Sequence, residues 1–237
     1  MRSTASFRIY SILLFVFFLF TTSCSKDDSS DSFVDYTGQV GTVTDADGNV
    51  YNTIGIGGQI WMAENLKVTH YRNGDPIDNV PDYTIWYVSY SGAYCDYNGD
   101  EGISNTYGKL YNWYAVTDNR GIAPDGWHVA TNDEWTTLVT YLGGKDAVGI
   151  KLKEEGTTHW ASPNANASNS SGFSALPGGQ RINMGYFFYL NESGYWWTSS
   201  SFSSFGYYWG LSYDSDTITS YAGIKQMGLS VRCIKDK

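Results

Sequence analysis

The chain has 237 residues, of which 17% are aromatic and only 16% charged, with 24 acidic against 15 basic side chains and a formal net charge of −9. So acidic a surface repels nucleic acid and anionic lipid headgroups, and sets both aside as partners. The length allows one domain with a sizeable core, and the abundance of Tyr and Trp suits strands and long aromatic-lined loops.

Residues 1–23 read as a leader. Arg2 and Arg8 precede an unbroken apolar run from Ile12 to Phe20, and Thr21-Thr22-Ser23 then leads into Cys24. The run is well short of the ~20 residues that a bilayer-spanning helix needs, and a small residue directly before a cysteine is the pattern of a bacterial lipoprotein cleavage site. Cys24 is therefore predicted to become a lipidated N-terminus, the competing reading being a short membrane anchor with an incidental cysteine. Cleavage removes two basic residues and no acid, so the net charge moves from −9 to −11. Residues 24–38 follow as a tether, because Ser25 to Ser32 is too hydrophilic to offset its ordering entropy by burial. The string Ser25-Lys26-Asp27-Asp28 resembles the export signal that carries Bacteroidetes lipoproteins to the outer face of the outer membrane. That resemblance implies a lipid-anchored protein of the outer membrane, at the cell surface. The alternative is a periplasm-facing lipoprotein with a merely solvated linker.

Residues 39–237 form the domain. Val40–Val43 and Val50–Ile56 read as strands around Asp45-Ala46-Asp47-Gly48-Asn49, where glycine and asparagine supply the positive φ of a tight hairpin. This is not an EF-hand loop, since Gly48 stands at the fourth position instead of the sixth. Gly58–Met62 is the next strand, with Trp61 as a core anchor. Leu110, Trp113 and Tyr114 fall on one face of a predicted helix over 107–116. Thr131 and Glu134 form a capping box, Trp135, Leu138, Val139 and Leu142 follow at helical spacing, and Gly143-Gly144 stops the second helix. Asp146–Glu154 adds a turn or two. Gly156 to Gly179, around His159-Trp160, is a long surface loop of the kind that carries function. Strands then run over Tyr195–Ser199, Tyr207–Tyr213 and Leu229–Ile234. Period-two alternation puts Tyr207, Trp209, Leu211 and Tyr213 on one face and Tyr208 on the other, more polar one.

With Cys24 lipidated, Cys95 and Cys233 remain in an oxidising compartment and are predicted to pair. Such a long closed loop is worth about 5 kcal/mol on the chain-entropy model. Two buried free thiols are the alternative, and a catalytic thiol is disfavoured because only Arg232 stands beside either cysteine. His70, His128 and His159 lie far apart with no metal-ligand spacing, so structural or surface roles are expected. Asp96-Tyr97-Asn98-Gly99-Asp100 alternates oxygen side chains as calcium loops do, yet Glu101 and Tyr107 occupy the sixth and twelfth positions. Calcium at Asp96, Asn98 and Asp100 is the one cofactor candidate, against a plain Asn-Gly turn. Glycoside hydrolysis needs two carboxylates across a cleft, and Glu154, Glu155, Asp214 and Asp216 carry no such mark. No catalytic residue is assigned.

Five ordered blocks carry a resemblance: Trp61-Met62-Ala63-Glu64-Asn65-Leu66, Tyr107-Gly108-Lys109-Leu110-Tyr111-Asn112-Trp113, Gly126-Trp127-His128-Val129-Ala130-Thr131, Gly172-Phe173-Ser174-Ala175-Leu176-Pro177-Gly178-Gly179 and Ser230-Val231-Arg232-Cys233. They are similar to the successive signatures of the Fibrobacter succinogenes major paralogous domain. The resemblance implies an α+β, C-type-lectin-like fold, with antiparallel strands, two main helices and a long loop region. It also implies a relation in outline to formylglycine-generating enzymes. Their catalysis uses a close pair of cysteines near the C-terminus, where this chain has only Cys233, so that activity is not carried over. The expected function is a recognition module for an extracellular glycan or protein, with Trp160, Tyr186 and Tyr208 as its stacking residues. An enzyme on the formylglycine-generating scaffold and a surface fibre subunit are the alternatives.

Overall fold

Three antiparallel strands open the domain: β1 (Val40–Thr44), β2 (Val50–Ile56) and β3 (Gln59–Met62). They belong to a computed structural model that describes residues 33–164 and 166–237; the leader, Cys24 and Ser25–Asp28 lie outside the described residues. The β1–β2 turn closes on the buried Asp45, whose carboxylate accepts from the backbone of Asp47 and Asn49 and from the Tyr51 hydroxyl. The chain is already docked before residue 39, since Tyr36 N donates to Gly57 O at 2.7 Å and Gly38 N to Gly55 O at 2.9 Å.

The remaining strands are β4 (Asp78–Asn79), β5 (Ala93–Cys95), β6 (Leu110–Tyr111), β7 (Trp127–Val129), β8 (Gly178–Arg181), β9 (Phe187–Leu190), β10 (Ser193–Phe202), β11 (Phe205–Ser212), β12 (Thr219–Ile224) and β13 (Cys233–Lys235). They form three sheets, ordered β1-β2-β3-β13-β7, β12-β11-β10-β8-β9 and β4-β5-β6. The C-terminal strand thus sits inside the N-terminal sheet and ties the two ends of the domain together. Pairing is antiparallel except between β10 and β8 and between β4 and β5. With helices α1 (Tyr83–Tyr87), α2 (Glu101–Tyr107), α3 (Trp113–Val116), α4 (Asn132–Tyr141) and α5 (Val148–Leu152), the class is α+β.

The helix α4 follows its sequence signals, with the Thr131–Glu134 capping box formed in full. The helix expected over 107–116 does not form. Gly108 ends α2 at φ +81, and a Cβ there would lie 2.6 Å from Asn65 Cβ. Leu110 and Tyr111 then pair with β5, and Tyr111 N donates to Leu229 O, before Asn112 caps the four-residue α3. The apolar spacing at 110, 113 and 114 serves a strand followed by a single helical turn, because sheet pairing on both sides satisfies the backbone that a helix would otherwise satisfy.

The β10–β11 sheet is covered on both faces. Trp196, Trp209 and Leu211 pack with Trp61, Trp135, Trp160 and Leu138 on one side. On the other, Trp197 packs with Tyr51, Tyr111 and Val231, and Tyr195 and Tyr208 lean on the same cluster. Three buried cations stitch this interior to the loops through backbone carbonyls. Arg232 donates to the carbonyls of Met62, Phe173 and Ser174, Lys153 to those of Ser212 and Ser215, and Arg181 to those of Val80, Pro81 and Gly185. Burial pushes the Arg232 guanidinium down to about 9 and lowers Lys153 as well.

The expected Cys95–Cys233 disulfide is not formed. Both thiols are free and buried. Cys95 lies on β5 among Trp86, Ala93 and Leu110, whereas Cys233 lies on β13 beside Val129 and Val231, in a different sheet. Burial pushes the Cys95 thiol up to about 12 and Cys233 higher still, so neither is poised as a thiolate.

Candidate functional site

The five blocks that carry the family resemblance meet inside the molecule. Asn65 Oδ1 accepts from Trp196 Nε1 at 2.8 Å and from Arg232 Nε at 2.7 Å, while Asn65 Nδ2 donates to Tyr107 O at 2.7 Å. Arg232 then reaches Phe173 and Ser174, so one buried knot joins four of the blocks. These residues build the scaffold of the domain.

Of the three stacking residues expected from the sequence, the structure leaves one on the surface. Trp160 is only 1% exposed, and its indole N–H donates to Ala175 O, so it is a core residue even though its loop is long. Tyr208 is half-buried, enclosed by Tyr195 at 6.0 Å, Trp197 at 5.6 Å and a stacked Tyr221 at 5.1 Å. Burial pushes its phenol up to about 12. Alternation assigned Tyr208 to the correct face, but that face is covered too. Tyr186, in contrast, is 56% exposed.

Tyr186 belongs to an aromatic shelf built where α1 meets the β8–β9 hairpin. Asp82 caps α1, accepting from the backbone of Thr84 and Ile85. The cap fixes which way the short helix faces: Trp86 turns inward and is fully buried, while Tyr83 and Tyr87 are more than half exposed. Across the groove, Tyr186 and Phe188 stand out from the hairpin, and the rings of Tyr83 and Tyr186 stack 6.0 Å apart at 19°. The open groove between these elements has a volume of about 520 Å³ and is lined also by Asn98.

Arg181 holds the two sides together. Its Nε donates to Gly185 O at 3.0 Å within the hairpin, and its Nη atoms donate to Val80 O at 2.5 Å and Pro81 O at 2.8 Å on the α1 side. The guanidinium lies over Trp86 at 4.3 Å and over Phe187 at 4.9 Å. Gly185 completes the junction. It adopts φ +88, and a Cβ there would come within 2.6 Å of Tyr83 Cβ, so a side chain would force the two sides apart. Arg181 and Gly185 thus fix the two backbones that carry Tyr83 and Tyr186, whose rings stay more than half exposed. Among the described residues the one carboxylate lining the groove, Asp82, is committed to the helix cap.

At the calcium candidate of Asp96, Asn98 and Asp100, two of the carboxylate oxygens already have partners within the chain. Asp96 Oδ1 is taken by Lys109 Nζ at 2.7 Å, and Asp100 caps α2 through Gly102 N. Among the described residues, no group of three or more His, Cys, Asp or Glu side chains could hold a metal ion. Each histidine instead has its own carboxylate: His70 meets Asp47 at 2.6 Å, His159 meets Glu154 at 2.8 Å, and His128 bridges Glu134 and Asp236. Sequence reasoning missed Tyr83, Phe188 and Arg181. The available signal was Pro81-Asp82 ahead of Tyr83-Thr84-Ile85-Trp86-Tyr87, a helix start carrying more aromatic rings than one buried face can use.

The sequence profile of the Fibrobacter succinogenes major domain matches residues 54–235, and the chain belongs to that family. Neither a curated protein nor a solved structure matches it.

Proposed function

We propose that this chain is a lipid-anchored outer-membrane protein, C-type-lectin-like in fold, whose domain recognises an extracellular glycan or protein at the cell surface through the shelf of Tyr83, Tyr186 and Phe188. The observation that carries the reading is the exposed Tyr83–Tyr186 stack, clamped from beneath by Arg181. Stacked, exposed ring faces suit the flat, C–H-bearing face of a sugar ring, and aromatic contacts of this kind contribute roughly 0.5–1.5 kcal/mol each beyond area burial. Anchoring rests on the leader and Cys24, and the outward orientation on Ser25-Lys26-Asp27-Asp28.

The test is a glycan and protein binding screen with the secreted Cys24→Ala form, followed by the double variant Tyr83→Ala/Tyr186→Ala. Both rings are more than half exposed, so the variant should keep its unfolding midpoint while affinity falls by about tenfold or more. Undiminished binding would place recognition elsewhere. The same Cys24→Ala form should take up no palmitate analogue, and unchanged uptake would refute the anchor.

A further inference from the structure

A second cavity, of about 330 Å³, opens beside α3, away from the aromatic shelf. Arg120 forms one corner of it. Its guanidinium bonds Asp118 through two nitrogens, at 2.9 and 2.8 Å, reaches Asp75 at 3.2 Å, and lies 3.9 Å from the centre of the Tyr71 ring. The chain's own cation is thereby fully engaged by two carboxylates. A third, Asp78, lines the cavity and is exposed, and among the described residues its carboxylate has no hydrogen-bond or ion-pair partner. Counted together, these groups leave the corner with an excess of two negative charges.

Two further observations point to what would occupy the space. Tyr90, which is 70% exposed, and Tyr114 wall the cavity with ring centres 6.2 Å apart at 60°, and tyrosine faces attract cations. Tyr71 also lines it and is only 1% exposed, and its hydroxyl stands beside the Asp118 carboxylate without a hydrogen bond of normal geometry. Burial, and then the nearby Asp118 carboxylate, push this phenol up to about 12. It therefore stays neutral, with lone pairs free to accept an N–H. An anion would be repelled by the carboxylates, and a neutral polyol would gain nothing from the excess negative charge. Of these classes, an ammonium group is the one that the excess negative charge, the free Asp78 carboxylate and the tyrosine ring faces all attract, with the Tyr71 lone pairs as a further acceptor beside them.

We propose that the cavity walled by Tyr90 and Tyr114, with Asp78 and the Tyr71 hydroxyl as its acceptors, binds an organic ammonium group. The two sources of that chemistry are a lysine-like alkylamine and an amino sugar. The full mature chain is titrated calorimetrically at about pH 6, where both amines are charged, with n-butylammonium and glucosamine, and with n-butanol and glucose as neutral isosteres. At least one amine should bind, with its neutral isostere about tenfold weaker or worse, and the tighter amine identifies the source.

Asp78→Asn should weaken amine binding by about tenfold and remove the preference over the isostere, with an unchanged unfolding midpoint because the side chain is exposed. Tyr90→Ala should weaken it several-fold. The Tyr83→Ala/Tyr186→Ala variant should bind amines as the wild type does, which separates this site from the shelf. Failure of both amines to bind, equal binding of amine and isostere, or undiminished binding by Asp78→Asn would each overturn the proposal.

Discussion

Replacing Arg181 by Met removes the clamp under the shelf while keeping a long, apolar-compatible side chain. The buried guanidinium donates to three carbonyls, at Val80, Pro81 and Gly185, and the substitution takes this donor from all of them. A buried acceptor left without a partner costs about 1–3 kcal/mol. Part of the loss is offset, since the variant no longer has to desolvate a cation with no carboxylate to pair it. The contact of the guanidinium with Trp86 and Phe187 is also lost, but Met can refill much of that space. The net expectation is a loss of about 2–4 kcal/mol in urea unfolding of the mature chain, with an unchanged denaturant slope. Shelf binding should weaken at the same time, because Tyr83 and Tyr186 lose their common support. Arg181→Lys should recover only part of the stability, as one ammonium cannot reproduce the planar fork. A loss below about 1 kcal/mol for Arg181→Met would refute the claim that these carbonyls depend on the guanidinium.

The hydrogen bond to Glu134, with a second to Asp236, raises His128 to about 9 from its ordinary 6.5. The folded state therefore favours the charged ring: the stabilisation is fully present below about pH 6.5 and is lost as pH rises through about 9. Thermal melts across that window should show wild type losing an advantage that His128→Asn never has, and parallel profiles would contradict the assignment. Because Cys95 and Cys233 sit in separate clusters, thiol titration of the denatured, non-reduced mature chain should find both free. A single disulfide per chain would overturn that arrangement.

Local chemistry was enough wherever the deciding partner is close in sequence. The Asp45 hairpin, the Thr131–Glu134 capping box, the Gly143-Gly144 stop and the alternation of Trp209 and Leu211 against Tyr208 all rest on residues within a turn or a strand of one another. The five signature blocks were equally legible and identified the family, and four of them meet in one buried hydrogen-bond network. Tertiary structure decided what depends on distant partners. The expected helix over 107–116 yielded to Asn65, Leu66 and Leu229, which claim its backbone from elsewhere in the chain. Trp160 became core because Ala175 and Lys153 enclose it, and Tyr208 was covered by Trp197 and Tyr221. Cys95 and Cys233 were consigned to different sheets. Alternation names the face of a strand but not whether something covers it, and only the packing of the sheets left Tyr186 with its ring in solvent beside Tyr83.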